Sequence, residues 1–342
     1  AQDFAVDLVE QDTELAGHLR HVRYLLNGER QQQELADLVA RLRASERVRV
    51  FTGSRVERIE GSIGDFRTRI GTNGEAVERV HGVVVVATGA REYLPTEYLY
   101  GQDDRVLTQR ELEQRLASPE AWRGPDGTAA PRTVVMIQCV GSRDGERPYC
   151  ARICCTTAIK NALRIKEMSP ETAVYVLYRD IRTYGFREQY YTRARQRGVA
   201  FVRYEPERPP EVRRCEGRLL VTVFDQTLKL PIEIAADALA LSTGVCAHPD
   251  NRTIAQLLKV PLNKDGFFLE AHMKLRPVDF ATEGVFVCGL AHAPKNIQES
   301  IIQAHAAAAR AASVLSQDAI ELEANISEVI DDRMPLGDTH CS

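Results

Sequence analysis

The spacing of apolar residues changes period several times along the chain, and each change predicts an element. "FAVDLVEQD" (4–12) is a short apolar run ending in acids, the pattern of a buried strand. In 28–45, Leu35, Leu38, Val39 and Leu42 recur at spacings of three and four, which predicts an amphipathic helix. "VRVFTGSRVERIEG" and "FRTRIGT" then alternate as antiparallel strands do, and "HGVVVVATGA" (81–90) is an apolar strand stopped by a Thr-Gly turn. The rhythm restarts at "TVVMIQ". A helix from about Tyr149 to Met168, the strand "AVYVLYRD" (173–180), a helix over 186–198 and the strands "VAFVRY", "RLLVTVFD" and "TLKLPIEI" follow. "ADALALSTGV" (236–245) repeats the apolar strand with its Thr-Gly stop. Near the end, "EGVFVCGLAHAPKNIQESIIQAHAAAARAASVL" (283–315) reads as a strand, a loop with Pro294 and a long Ala-rich helix from about Asn296.

Two units closing on the same strand and turn point to two related nucleotide-fold domains in an α/β protein. The Pro-, Gly- and Ala-rich stretch 117–132 marks a boundary. The expected organisation is a discontinuous first domain, 1–118 and 246–316, with a second domain, 130–245, inserted in it. Residues 317–342 form a polar, acidic linker or tail.

Composition narrows the function. The formal charge of −4 with no basic tract argues against nucleic acid as a partner. No apolar run approaches the roughly 18–20 residues that cross a bilayer, so no membrane span is expected. Eight cysteines, four of them bunched, do not resemble a secreted disulfide framework and point to a reducing cytoplasm.

Glu10 stands at the end of a strand, where a dinucleotide-binding βαβ unit places the carboxylate that accepts hydrogen bonds from the adenosine ribose. "VVVVATGA" and the Gly-loop-helix at 289–315 supply two further pieces of such a site. The glycine fingerprint G-x-G-x-x-G occurs nowhere in the chain. It belongs one strand and one helix before Glu10, so the sequence reads as N-terminally incomplete. Asn296 is placed to cap the last helix, whose N-terminus with Lys295 beside it suits the negatively charged pyrimidine edge of a reduced flavin.

In the second unit, the turn after "TVVMI" should carry glycines if it bound NAD. It reads "QCVGSRDGERPYCARICC" instead, too long and too charged to hold a pyrophosphate against the helix start. Its cysteines have the spacing C-x10-C-x3-C-C: Cys139, Cys150, Cys154 and Cys155. Cys139 is expected at the mouth of the loop and the other three on the first turns of the helix, with Cys150 and Cys154 on one face. Four converging thiolates fit a 4Fe–4S cluster first, then a structural zinc, a redox disulfide or buried core thiols. Cys215, Cys246, Cys288 and Cys341 are scattered and read as packing residues.

These segments together resemble the A-subunit family of heterodisulfide reductase flavoproteins. The resemblance rests on "VVMIQCVGSRDGERPYCARICCTTAIKNALRIKE", "YVLYRDIRTYGFREQYY", "FLEAHMKLRPVDFATEGVFVCGL", "PKNIQESIIQAHAAAARAA", "VVVATGAREYLPTEYLYGQDDRVLTQRELE" and "ELAGHLRH". It implies a thioredoxin-reductase-like pair of domains with FAD in the first and iron–sulfur chemistry at the cysteine block. By the resemblance Glu10 holds the ribose, Gly17, His18 and Leu19 approach the cofactor, and Val56 contacts the adenine. Thr88, Gly89, Ala90 and Gly289 line the dinucleotide, while Lys295, Asn296, Ile297 and Gln298 lie by the isoalloxazine ring. The implied activity is electron transfer, in many relatives bifurcated, from flavin to a 4Fe–4S cluster. The partners are subunits of a heterodisulfide-reductase-type or benzoyl-CoA-reductase-type complex, ferredoxin or ferredoxin-like domains, and a second copy in a homodimer. The chain departs from the family in lacking ferredoxin-type C-x2-C-x2-C-x3-C segments. It also has Leu290 after Gly289 where related flavoproteins carry Asp, and Ala16 where a second glycine is common. A flavin-free cluster relay and a nicotinamide-dependent disulfide reductase stand as the alternatives.

Overall fold

The computed structural model describes residues 3–320 except 73, 124–126 and 128. The tail beyond 320, with Cys341, lies outside the described residues. The chain opens with β1 (Val6–Val9), a 3-10 turn over Gly17–His21, α1 (Gln32–Ala44) and β2 (Val48–Phe51). β2 pairs parallel to β1, whereas the alternation of "VRVFTGSRVERIEG" had predicted one antiparallel run. The chain reverses only afterwards, through the Gly53 turn, into the antiparallel meander β3 (Ser54–Ser62), β4 (Asp65–Thr72) and β5 (Glu75–His81). β6 (Val84–Val86) stops before the Thr88-Gly89 turn, and β7 (Ala90–Glu92) leaves it.

The second unit begins earlier than the composition break indicated. β8 (Val106–Thr108) and α2 (Gln109–Ala117) belong with its sheet, since β8 pairs with the last strand of that unit. There follow β9 (Thr133–Val140), α3 (Cys154–Met168), β10 (Ala173–Tyr178), α4 (Glu188–Gln196) and β11 (Ala200–Arg203). The meander β12 (Glu211–Cys215), β13 (Arg218–Asp225) and β14 (Leu230–Ala236) then leads to β15 (Ala238–Thr243). The parallel sheet has the order β11-β10-β9-β15-β8. β9 at its centre is buried on both faces: Val134 and Met136 pack toward the helices, Val135 and Ile137 toward the meander. That explains its unbroken apolar run.

The chain returns through β16 (Val245–Ala247), α5 (Asn251–Leu258), β17 (Val285–Val287) and α6 (Ile297–Leu315). β17 pairs parallel to β6 and is covered on its other edge by the segment around Asp279. Among the described residues no strand joins the β1–β2 pair to the β6–β17 pair. The segments that follow the two Thr-Gly stops meet each other: β7 and β16 form an antiparallel ribbon, Ala90 opposite Ala247 and Glu92 opposite Val245. This ribbon ties the units together beside both turns.

Candidate functional site

The first half of the site gathers around the Thr88-Gly89 turn. The His18 ring Nε2 lies 2.7 Å from the Ala90 carbonyl, which holds the Gly17–His21 turn against it. Thr88 Oγ1 donates to the buried Asn251, whose amide donates to the Gly266 carbonyl. Glu10 directly follows β1, and its Oε1 accepts the Asp12 backbone N–H at 3.0 Å. Gln11 reaches His248 at 2.9 Å, bringing the end of β1 to the segment before α5. Gly17, Gly89 and Gly289 all have positive φ, and a Cβ built on any of them would meet nothing within 4 Å. These are backbone surfaces bare enough for a ligand to lie against. Leu19 is exposed and Val56 half-buried at a bulge of β3. His248 and Asn251 escaped the sequence reading, because nothing local marks a polar residue that serves a turn about 160 positions away.

The second half is the start of α6. Asn296 caps it as expected: its Oδ1 accepts the Glu299 N–H at 3.0 Å, and Glu299 Oε2 accepts the Asn296 N–H at 3.0 Å. This capping box fixes the helix end whose remaining N–H groups carry partial positive charge. Ile297 and Gln298 form its first turn, Gln298 receiving a hydrogen bond from Arg187. Lys295 is buried. Its Nζ donates to the Gly289 and Ala293 carbonyls at 2.7 and 3.1 Å and stands 3.3 Å from His292 Nδ1. Burial, with Arg152 as the next cause, pushes its ammonium down to about 8. His292 Nε2 lies 2.7 Å from Glu270 Oε2, and Gln303 lies 2.9 Å from its Nδ1. Gln303 Oε1 also accepts the Gly289 N–H at 2.9 Å.

The cysteine block departs from its sequence reading: Cys139 is the last residue but one of β9 rather than a loop residue. α3 starts at Cys154, so Cys150 lies in an irregular segment before the helix rather than on its face. Arg152 at φ 62° interrupts the helical path, and its N–H donates to Cys150 Sγ at 3.3 Å. Cys139, Cys154 and Cys155 are buried and Cys150 partly so. The thiols sense one another. The Cys154 proton is held firmly, through its bond to Cys155 and burial, with Cys139 and Cys150 adding to the effect. Cys155 is lowered to about 7 by the bond from Cys154, aided by Arg182 and Arg143. Arg143 also stands 4.0 Å from Cys139 Sγ. Among the described residues no three His, Cys, Asp or Glu side chains are drawn together closely enough to enclose a metal ion. The donor set suits a cluster; its sulfurs are near neighbours not gathered to bonding distance. Gln138 and Ser142, which flank this corner, are buried with side-chain atoms lacking any partner among the described residues.

The turn that would hold a nucleotide in the second unit is filled. A Cβ on Gly141 would lie 2.0 Å from the Tyr93 ring, and Arg147 stacks on that ring at 4.4 Å. Arg147 also donates to the Gly141 carbonyl at 2.8 Å. Tyr93 comes from the segment just after β7, so sequence reasoning saw the lost glycines but not what replaced them.

The two halves are in contact with the cysteine block. Ala90, Ala151, Cys154, Cys155, Val245 and Phe267 form one apolar cluster, with Leu290 packed against it. No family model matches the chain. Curated relatives do. It is 38% identical over 298 residues to the iron-sulfur A-subunit of the CoB–CoM heterodisulfide reductase of Methanocaldococcus jannaschii, covering 83% of this chain and 44% of that protein. It is 37% identical over 292 residues to the A-subunit of the ferredoxin:CoB-CoM heterodisulfide reductase of Methanosarcina acetivorans, covering 75% of this chain and 36% of that protein. The chain belongs to the heterodisulfide reductase A-subunit family. It spans less than half the length of those relatives. Thioredoxin reductase from Lactococcus lactis has the same fold, with a TM-score of 0.57, 17% identity and 91% of each chain covered. That from T. acidophilum superposes with a TM-score of 0.56 at 16% identity, over 92% of this chain and 90% of that one. The expected thioredoxin-reductase-like pair of domains is thus the fold of this member of the A-subunit family. No helix among its described residues is long and apolar enough to cross a membrane.

Proposed function

We propose that this member of the A-subunit family is the flavin- and cluster-bearing part of an oxidoreductase that passes electrons to a partner in a heterodisulfide-reductase-type complex. FAD would lie along Glu10, the Gly17–Leu19 turn, Val56, Thr88–Ala90 and Gly289, with its ring at Lys295–Gln298. A 4Fe–4S cluster would be held by Cys139, Cys150, Cys154 and Cys155. The observation that carries this reading is the shared apolar cluster: Cys154 and Cys155 pack with Ala90, which follows the Thr-Gly turn, and against Leu290. The flavin supplies exchange of electron pairs and single electrons, and the cluster a one-electron way out.

The protein's part is electrostatic and steric. The capped start of α6 and the buried Lys295 present positive charge where a reduced ring gathers negative charge. Lys295 donates to two carbonyls, and burial lowers its ammonium to about 8. Burial pushes the Cys139 thiol up against the opposing Arg143 and Arg179, while the bond from Cys154, with Arg182 and Arg143, lowers Cys155. Tyr93 in the Gly141 turn weighs against a nicotinamide-dependent reductase, because the backbone surface a pyrophosphate would need is covered. The second reading is a cluster relay without flavin.

Anaerobic purification with FAD, iron and sulfide quantification separates them. One FAD with about four irons and four sulfides per chain is expected. Iron without flavin would select the relay. Flavin without iron would remove the cluster. Cys154→Ala should abolish the cluster's absorption and paramagnetic signal, and an unchanged spectrum would refute its ligand role.

A further inference from the structure

Arg152 reaches across from the cysteine segment of the second unit to the start of α6 in the first. Its Nη1 donates to the Pro294 carbonyl at 3.2 Å, and its Nη2 donates to Glu299 Oε1 at 2.7 Å and to the Tyr184 hydroxyl at 2.8 Å. The Tyr184 hydroxyl donates to the same Glu299 oxygen at 3.0 Å. We propose that Arg152 is a positioning residue, which pins the Cys150–Cys155 segment to the flavin-facing end of α6 through the Glu299 carboxylate.

Three features set this bridge apart from an ordinary surface ion pair, which contributes little. First, one planar guanidinium satisfies three acceptors on two separate segments, a geometry lysine cannot reproduce. Second, Glu299 is already fixed: its other oxygen caps the helix, so the carboxylate brings the helix end with it. Third, Arg152 itself takes the left-handed φ of 62°, a conformation that persists in a non-glycine residue only when surrounding contacts hold it. Its backbone N–H is committed to Cys150 and its side chain to α6. The bridge is thus a rigid connection between a thiol and a helix end that belong to different units. Arg187 to Gln298, at 2.8 Å, reinforces it from the neighbouring loop.

The bridge has an electrostatic consequence, which rests on the flavin reading above. Glu299 places a negative charge in the first turn of α6, and Arg152 balances it. Losing one partner leaves the other's charge beside the flavin ring, so the two losses act in opposite directions.

Hydrogen exchange of the full chain tests the positioning without flavin or cluster. Arg152→Gln is expected to speed exchange roughly tenfold in both 150–156 and 296–300, since an opened charge-assisted contact exposes both ends. Glu299→Gln keeps the cap, because an amide oxygen still accepts the Asn296 N–H, and should speed exchange in 150–156. Arg152→Lys should not restore either segment. Changes confined to 150–156 in the arginine variant, or full rescue by lysine, would overturn the proposal. Where FAD is bound, Arg152→Gln should lower its midpoint potential and Glu299→Gln raise it; shifts of the same sign would overturn the electrostatic part. If the wild type binds no FAD, the flavin reading fails and the exchange result alone decides the bridge.

Discussion

Ala16 sits at φ 84° just before the Gly17–His21 turn, a backbone conformation that costs an alanine about 1 kcal/mol. Glycine takes it without a Cβ penalty. Ala16→Gly should therefore raise the unfolding free energy by roughly 0.5–1 kcal/mol, read from the urea midpoint at constant m-value. A lower midpoint would show that Ala16 is not strained. Lys295 gives a prediction in pH. Its folded-state value is depressed from 10.5 to about 8, so above that value the folded chain has released a proton the unfolded chain still holds. Stability therefore rises with pH across this window, by up to about 1.4 kcal/mol per unit for this group. Below pH 8 both states are protonated and the burial penalty is present in full. Relative to Lys295→Met, the wild type should gain stability between about pH 8 and pH 10, measured by urea unfolding at each pH. Parallel profiles would mean the ammonium is not desolvated. At this scale the sequence was readable where chemistry is local, as with the Asn296 cap. It was silent on Tyr93 and His248, and it placed Arg152 near the cysteines without its reach to Glu299, because these contacts join residues far apart along the chain.

The helices separate what a local pattern can and cannot specify. α2 and α6 both begin with a complete capping box, Thr108 with Glu111 and Asn296 with Glu299. The Asn296 cap was expected from sequence because a capping residue shortly after Pro294 and before an Ala-rich run is a local signal; the return bond from Glu299 was not. Thr108→Ala and Asn296→Ala should each cost about 1 kcal/mol of stability. Only Asn296→Ala should also weaken FAD binding, by severalfold in a fluorescence titration, because only α6 points its end at the proposed ring site. Equal effects of the two variants on FAD would contradict that placement. α3 shows the opposite case. Apolar periodicity carried the helix back to Tyr149, yet it begins at Cys154 with no side-chain cap. The segment between is shaped by Arg152 reaching Glu299, 147 positions on, and by Tyr149 donating to the Val245 carbonyl. No window of sequence contains those contacts. The pairing of β2 was misjudged for a related reason: strand alternation reports burial on one face and leaves parallel or antiparallel pairing undetermined.

For the whole molecule, the repeated Thr-Gly stop disclosed two units of one plan, because each stop is written in consecutive residues. How the units join was hidden. The joint is made by β7 against β16 and by an apolar cluster whose members come from residues 90, 151–155, 245 and 267. The composition break at 117–132 also misplaced the division, since β8 and α2 are held in the second sheet by β15 and α3. Phe267 is the largest buried side chain of the joint. It is 1% exposed and meets the Tyr149 ring edge-on with centroids 5.5 Å apart. Phe267→Ala removes a fully buried aromatic from a site bordered by three segments that differ in chain position, so little collapse can fill the space. The cost should be about 3–5 kcal/mol in urea unfolding. Because the ring touches the cysteine segment from one side and the ribbon strands from the other, the loss should be felt in both units. Hydrogen exchange is expected to quicken in 88–92 and in 150–155 together, while the second unit's interior around Met136 keeps its protection. Acceleration limited to the residues next to Phe267 would mean that the ribbon alone joins the units, and that the cysteine block owes its place beside the Thr88-Gly89 turn to backbone pairing rather than to this core.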